Sequence, residues 1–234
     1  MIVEDLFLDR VAHDLRGELS TMLAGVHYLL RFGRDTGVPS REMLERVGDA
    51  GERLTRLLEE FDDSAWLLDK PKPLLLAPVR MRLLVDDLLE RSGKVAQLRG
   101  ARLLIDVANN DENREFVGDQ DMLARALLYV ADFAMLRAAG PEVRGTAQYE
   151  GGLPVIRIID EGAHIPESIR DRLFEPFAEN ELANLIPQGR RKVRIGLGLS
   201  IARAIFEAHG GSLTVEPLGH ATSSGLVFRC IVTR

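Results

Sequence analysis

A single cysteine, Cys230, leaves no partner for an internal disulfide in a chain of 234 residues. A reducing, cytoplasmic setting is therefore expected, and the alternating apolar segment around Cys230 marks it as a core residue. No apolar run reaches the roughly eighteen residues of a membrane-spanning helix, so membrane insertion is not expected. The start, Met1-Ile2-Val3-Glu4-Asp5, has none of the basic residues that open a signal peptide. Positive charge is also in short supply. Thirty Lys and Arg against 36 Asp and Glu give a net charge of −6, which argues against nucleic acid as the main partner. No histidine cluster has metal-ligand spacing, so no protein-held metal is expected. Glu167, Ser168 and Asp171 make no nucleophile–base arrangement, and no repeat or low-complexity tract interrupts the chain.

What is present is an ordinary globular balance, 46% hydrophobic and 28% charged, with length enough for two domains. Val11, Leu15, Leu19, Met22, Val26 and Leu29 recur at spacings of three and four. This is one stripe of an amphipathic helix over about 4–33. Gly33, Gly37 and Pro39 mark a short loop, and Ser40 with Glu42 suits a new helix start. Met43, Val47, Leu54, Leu57, Phe61, Ala65 and Leu68 form a second stripe. Two long helices on so short a loop pack antiparallel, and a stripe is left over on each. A second copy would cover it, which predicts a homodimeric four-helix bundle. Gly17, Gly25, Gly48 and Gly51 interrupt these helices, at about 1 kcal/mol each relative to alanine unless packing compensates. Lys70-Pro71-Lys72-Pro73 ends the helical pattern, so the domains are placed at 1–70 and 74–234. The second reads as strand 74–79, helix 80–98, strand 101–107, helix 119–139, strands 142–149 and 155–159, helix 201–208, and strands 212–216 and 226–232. The strand at 155–159 is apolar enough to be central. The fold class is α+β.

Four motifs stand in order along this frame. Val11-Ala12-His13-Asp14-Leu15-Arg16-Gly17-Glu18-Leu19 opens the first helix. Asp160-Glu161-Gly162, then Phe174-Glu175-Pro176-Phe177, then Gly196-Leu197-Gly198-Leu199-Ser200-Ile201 follow far downstream. Together they resemble the H, G1, F and G2 boxes of bacterial sensor histidine kinases, and Glu207-Ala208-His209-Gly210-Gly211 is similar to that family as well. The resemblance covers nearly the whole chain. It implies a helical hairpin for dimerisation and phosphoacceptance, followed by a Bergerat-type ATPase-like domain. On a helix His13 lies about 200° around from Val11 and Leu15, facing away from the core stripe. An ordinary imidazole, with a pKa of about 6.5, is mostly neutral near pH 7 and able to attack phosphorus. Asp14 could take the ring proton, and Arg16 could meet phosphoryl oxygens. The competing reading is a solvated histidine on a charged helix face, the reading that also suits His27. Twelve residues precede His13, so an input signal is expected to arrive through a partner or from outside this stretch of chain.

The chain departs from the family's pattern where that family holds magnesium ATP. Gly17 stands at the position of a threonine or asparagine that orients water in relatives, and the proline after it is missing. Phe133 takes the place of the N-box asparagine whose oxygen holds Mg²⁺, Tyr129 that of a second asparagine, and Leu136 that of a lysine. A phenyl ring offers no oxygen to a hard cation. Asp132 is adjacent but points about 100° away. Asp160, which the resemblance assigns to the adenine amino group, is retained with Gly162, Gly196 and Gly198 as the candidate cofactor-binding set. The second glycine of the G1 box is His164, where strain or filled space is expected, and Arg194 replaces a G2 glycine. Arg190, Arg191, Lys192 and Arg194 form a basic cluster in the lid segment, either a phosphate or partner patch or a solvated loop. These features predict a phosphorelay protein that exchanges phosphoryl groups between His13 and the aspartate of response-regulator receiver domains. The candidate catalytic residues are His13, Asp14 and Arg16, no cofactor is required, and ATP and magnesium binding is doubtful. The receiver would meet the helix face around Arg16, Ser20 and Leu23. The alternatives are an active ATP-dependent autokinase and a non-catalytic scaffold that docks a regulator.

Overall fold

The computed structural model describes residues 2–32, 37–67, 73–186, 196–218 and 225–233. The chain divides into two compact units that meet in sequence at Ser64–Ala65. The first contains α1 (Ile2–Phe32) and α2 (Gly37–Asp63), and a short 3₁₀ helix, Ser64–Leu67, follows. α2 starts earlier than Ser40, so Pro39 falls inside its first turn, where its missing N–H has no intrahelical partner to lose. The two helices pack on each other through Ala50 and Leu57, both fully buried. Glu18 on α1 accepts a hydrogen bond from Arg53 on α2 at 2.8 Å. Gly25 lies directly against the stiff Val47 side chain and Gly51 against Met22, whereas Gly17 and Gly48 have nothing within 4 Å. Close approach thus accounts for one of the four helical glycines, Gly25, since a side chain at Gly51 would meet Met22 only at ordinary contact distance. The apolar stripe of α1 splits: Leu15, Met22 and Leu29 are partly covered, while Leu19 and Val26 stay exposed.

The second unit holds β1 (Ala77–Arg80), α3 (Met81–Arg99), β2 (Arg102–Val107), β3 (Glu115–Gly118), α4 (Gln120–Arg137), β4 (Glu142–Glu150), β5 (Leu153–Asp160), α5 (Glu167–Arg170), α6 (Gly198–Ala208), β6 (Ser212–Pro217) and β7 (Leu226–Ile231). A second 3₁₀ helix covers Ala178–Leu185. The main sheet runs β2-β4-β5-β7-β6, with β2 parallel to β4 and the remaining pairs antiparallel. β5 is the middle strand, as its apolar composition predicts. β1 and β3 form a separate antiparallel pair. On the inward face Ile158 sits opposite Phe228 and Ile156 opposite Cys230, all buried beneath α4 and α6. Leu127, Val130, Ile205 and Phe206 close that core from the helix side. Burial pushes the Cys230 thiol up from its ordinary pKa, so it is an inert core group.

Glu150, at the end of β4, accepts hydrogen bonds from Arg157, Gln148 and Arg229. The Arg157 bond, then that of Gln148, pull its carboxyl from the ordinary 4.5 down to about 2. A depressed carboxyl stabilises the fold above its unfolded pKa, and that contribution fades as pH falls from about 4.5 towards 2. Thermal melts in this window should show a smaller loss of midpoint for Glu150→Gln than for the parent chain. Equal slopes would mean that the cluster does not drive acid sensitivity.

Candidate functional site

α4 carries the residues that decide the site. Its N-terminus is fixed by Asp119, whose side chain accepts from the Met122 N–H at 3.2 Å and from the Leu75 N–H at 2.8 Å. The Asp119 N–H in turn donates to His209 Nε2 at 3.0 Å, while His209 Nδ1 lies 2.8 Å from the Ile205 carbonyl. His209 therefore carries its proton on Nδ1 and joins the end of α6 to the start of α4. It is wholly buried and structural. One face of α4 meets α3, where Arg99 grips Asp132 with two bonds of 2.6 and 3.0 Å. The Asp132 carboxylate is thus committed to an ion pair on that side.

Phe133 and Arg137 lie one turn apart on α4. Phe133 is 2% exposed, and its ring meets that of Phe228 edge-on at 5.6 Å. Phe228 also meets Phe174 of the Phe-Glu-Pro-Phe motif edge-on at 6.5 Å. Phe133 is therefore part of an aromatic core. Arg137 extends from the end of α4 to Asp160 at the end of β5. Nε donates to Asp160 Oδ2 at 2.7 Å, with side-chain exposures of 1% and 0%. Nη2 donates to the Ala163 carbonyl, and the Gly162 N–H takes the other oxygen, Oδ1, at 2.7 Å. The guanidinium rests 5.6 Å from the Phe133 ring, and Nη1 is buried with no hydrogen-bond partner among the described residues. Burial pushes the Asp160 carboxyl up from its ordinary range, while the charge and bond of Arg137 and the Gly162 N–H pull it down. Gly162 has no room for a side chain, because Asp160 and Arg137 lie against it.

His164 behaves differently from its sequence expectation. Its φ is not positive, so the strain is absent, and its side chain is exposed. The group that fills the space beside Asp160 is Arg137 instead. Around the Gly-x-Gly motif, Gly196 has φ +94° and sits against the Asn180 side chain. Its carbonyl accepts from the Phe177 N–H at 2.8 Å. Gly198 begins α6, and in that first turn the Leu199 N–H donates to Glu179 Oε1 at 2.7 Å, a buried contact. Asp160 and Gly162 are thus brought together by Arg137, and Gly196 and Gly198 by the segment around Glu179.

His13 and Asp14 fall on α1, with their side chains outside the described residues. Arg16, Ser20 and Leu23 are exposed on the same helix, as is His27. The basic cluster Arg190, Arg191, Lys192 and Arg194 lies outside the described residues. Among the described residues no group of three or more His, Cys, Asp or Glu could hold a metal ion, and no helix is long and apolar enough to cross a membrane. Arg137 and Glu179 contact the candidate site residues, and motif reading missed both. The signal for Arg137 was a charge at the end of the long apolar run of α4, which demands a buried counter-charge.

Comparison with known proteins bears on this geometry. The family described as histidine kinase-, DNA gyrase B-, and HSP90-like ATPase matches residues 118–232. The circadian input-output histidine kinase CikA of Synechococcus elongatus is 27% identical over 216 residues, 90% of this chain and 28% of that protein. The sensor histidine kinase AruS of Pseudomonas aeruginosa is 30% identical over 217 residues, again 90% of this chain but 21% of the relative. The chain therefore spans well under half the length of these curated relatives. Among solved structures, histidine kinase ThkA in complex with response regulator protein TrrA aligns with a TM-score of 0.61 at 16% identity. That alignment covers 97% of this chain and 61% of the other, a likeness of fold. The four motifs, the mixed sheet and these relatives lead to one assignment: the chain belongs to the sensor histidine kinase family.

Proposed function

We propose that this chain is a two-component phosphorelay protein in which His13 exchanges phosphoryl groups with receiver-domain aspartates, and that it does not phosphorylate itself from ATP. The observation that carries this reading is the buried Arg137–Asp160 pair. The carboxylate that would read an adenine amino group already has both oxygens engaged. Phe133 adds to this, since a ring inside an aromatic core cannot ligate a cation that takes only oxygen. A magnesium nucleotide does not fit this donor set. Transfer from a receiver needs none of it. The neutral His13 nitrogen attacks the aspartyl phosphate, the P–O bond to the carboxylate breaks, and an N–P bond forms. Asp14 takes the N–H proton of the other ring nitrogen, and Arg16 neutralises the phosphoryl oxygens. The receiver supplies its own metal and acceptor. That a relative in fold, ThkA, is held in complex with a response regulator supports such a partner.

The helical unit supports a homodimer. Leu19 and Val26 on α1 and Leu44, Leu58 and Phe61 on α2 are exposed in a single copy, and a four-helix bundle would cover them. Sedimentation equilibrium giving a monomer mass would sink this part.

The test is incubation with a panel of radiolabelled phospho-receivers. Acid-labile label should appear on the chain and vanish in His13→Gln, while labelled ATP with magnesium leaves no mark. The second reading, an active autokinase, is favoured by the match of residues 118–232 to an ATPase family. Label arriving from ATP and lost in His13→Gln would establish it. If every receiver fails to label His13, a docking scaffold remains.

A further inference from the structure

We infer that the base and phosphate subsites of this domain are filled by its own side chains. Arg137 presents N–H groups to Asp160 as a base amino group would, and Glu179 presents a carboxylate to the first turn of α6 as a phosphate oxygen would. Both surrogates are buried. Arg137 is 1% exposed and Glu179 5% exposed. Each makes the bond that the missing ligand portion would make: N–H to carboxylate at 2.7 Å at one end, and carboxylate to backbone N–H at 2.7 Å at the other. The chemistry is self-consistent. A helix start attracts an anion because its first N–H groups have no partner within the helix, and a buried carboxylate demands a cation or several donors. The fold inherited both demands with its motifs and meets them internally.

The locations reinforce each other. Arg137 is held from below by the Phe133 ring and from the side by the Ala163 carbonyl. Glu179 follows Phe177, whose φ of +68° turns the chain back so that its N–H reaches the Gly196 carbonyl. The 3₁₀ helix Ala178–Leu185 then presents Glu179 to α6. Neither side chain is a loose surface group that happened to fold inward. This inference deepens the absence of ATP chemistry in the proposed function, yet it holds equally for a docking protein whose His13 carries no phosphate.

Two partial ligands read the two ends separately. Calorimetric titration of the whole chain with adenosine, and separately with tripolyphosphate, should give no binding up to about 1 mM. Arg137→Ala is expected to bind adenosine at least about tenfold more tightly than the parent, and Glu179→Ala to gain tripolyphosphate binding by a similar factor. Arg137→Gln keeps one donor for Asp160 but is shorter, and it covers the case in which the alanine variant does not fold by circular dichroism. Adenosine or ATP binding to the unaltered chain below about 0.1 mM overturns the inference. So does a folded Arg137 variant silent towards adenosine, or a folded Glu179→Ala silent towards tripolyphosphate. The receiver assay on the unaltered chain reports on His13 alone, so failure of phosphoryl exchange and failure of this inference are told apart.

Discussion

Asp160→Ala should lower the stability of the second unit by about 3–5 kcal/mol, because it leaves the Arg137 guanidinium buried without a counter-charge. Across a chain of this size that amounts to a fall in melting midpoint on the order of 10 °C. The size follows from burial rather than from the pair's net worth. Removing two charges from water costs several kcal/mol each, and mutual attraction returns roughly that amount. A variant that deletes both, Arg137→Met with Asp160→Leu, is therefore expected to melt near the parent. The double variant separates the penalty of an orphan charge from the value of the pair. If Asp160→Ala melts within about 2 °C of the parent, water must reach Arg137, and the subsite is more open than its exposure implies.

Phe133→Asn restores on paper the oxygen donor that a magnesium nucleotide wants, and it should still yield no labelling from ATP. Phe133 fills an apolar site against Phe228, so truncating it costs about 3–5 kcal/mol. An amide placed there also brings unsatisfied polar atoms. Asp160 remains engaged by Arg137 in this variant. Urea titration should record the loss of stability, and the ATP assay should stay blank. Phosphate appearing on His13 from ATP would show that the metal position alone was limiting.

Most of the architecture was legible because it rests on periodicity. The stripes of α1 and α2 mark the two helices even though part of each stays exposed, and the strong apolar runs of β5 and α4 mark the buried elements of the second unit. β3 was not legible: four residues behind the turn-rich Asn109-Asn110-Asp111-Glu112-Asn113 run make no pattern, and its pairing with β1 supplies what composition does not. The start of α2 was misplaced because Pro39 reads as a breaker by default, although the first turn of a helix accepts it. In the site, the losses at Phe133 and His164 were visible from motif alignment, but their consequence was not. His164 was expected to strain or block the subsite, and it does neither. The group that pairs with Asp160 comes from 23 residues upstream, at a position no motif inspects. Such a contact depends on which helix end meets which strand end, and only the assembled sheet determines that.

The single-turn spacing of Phe133 and Arg137 has a consequence for descent. Under the proposed reading, a lineage moving back towards ATP use would have to change both residues. Changing Phe133 first takes away the ring beneath the guanidinium, and changing Arg137 first strands the Asp160 charge. Either opening step gives a frailer protein before it gives a usable pocket. Reversal thus runs uphill at the start, and the departure from nucleotide chemistry works as a ratchet.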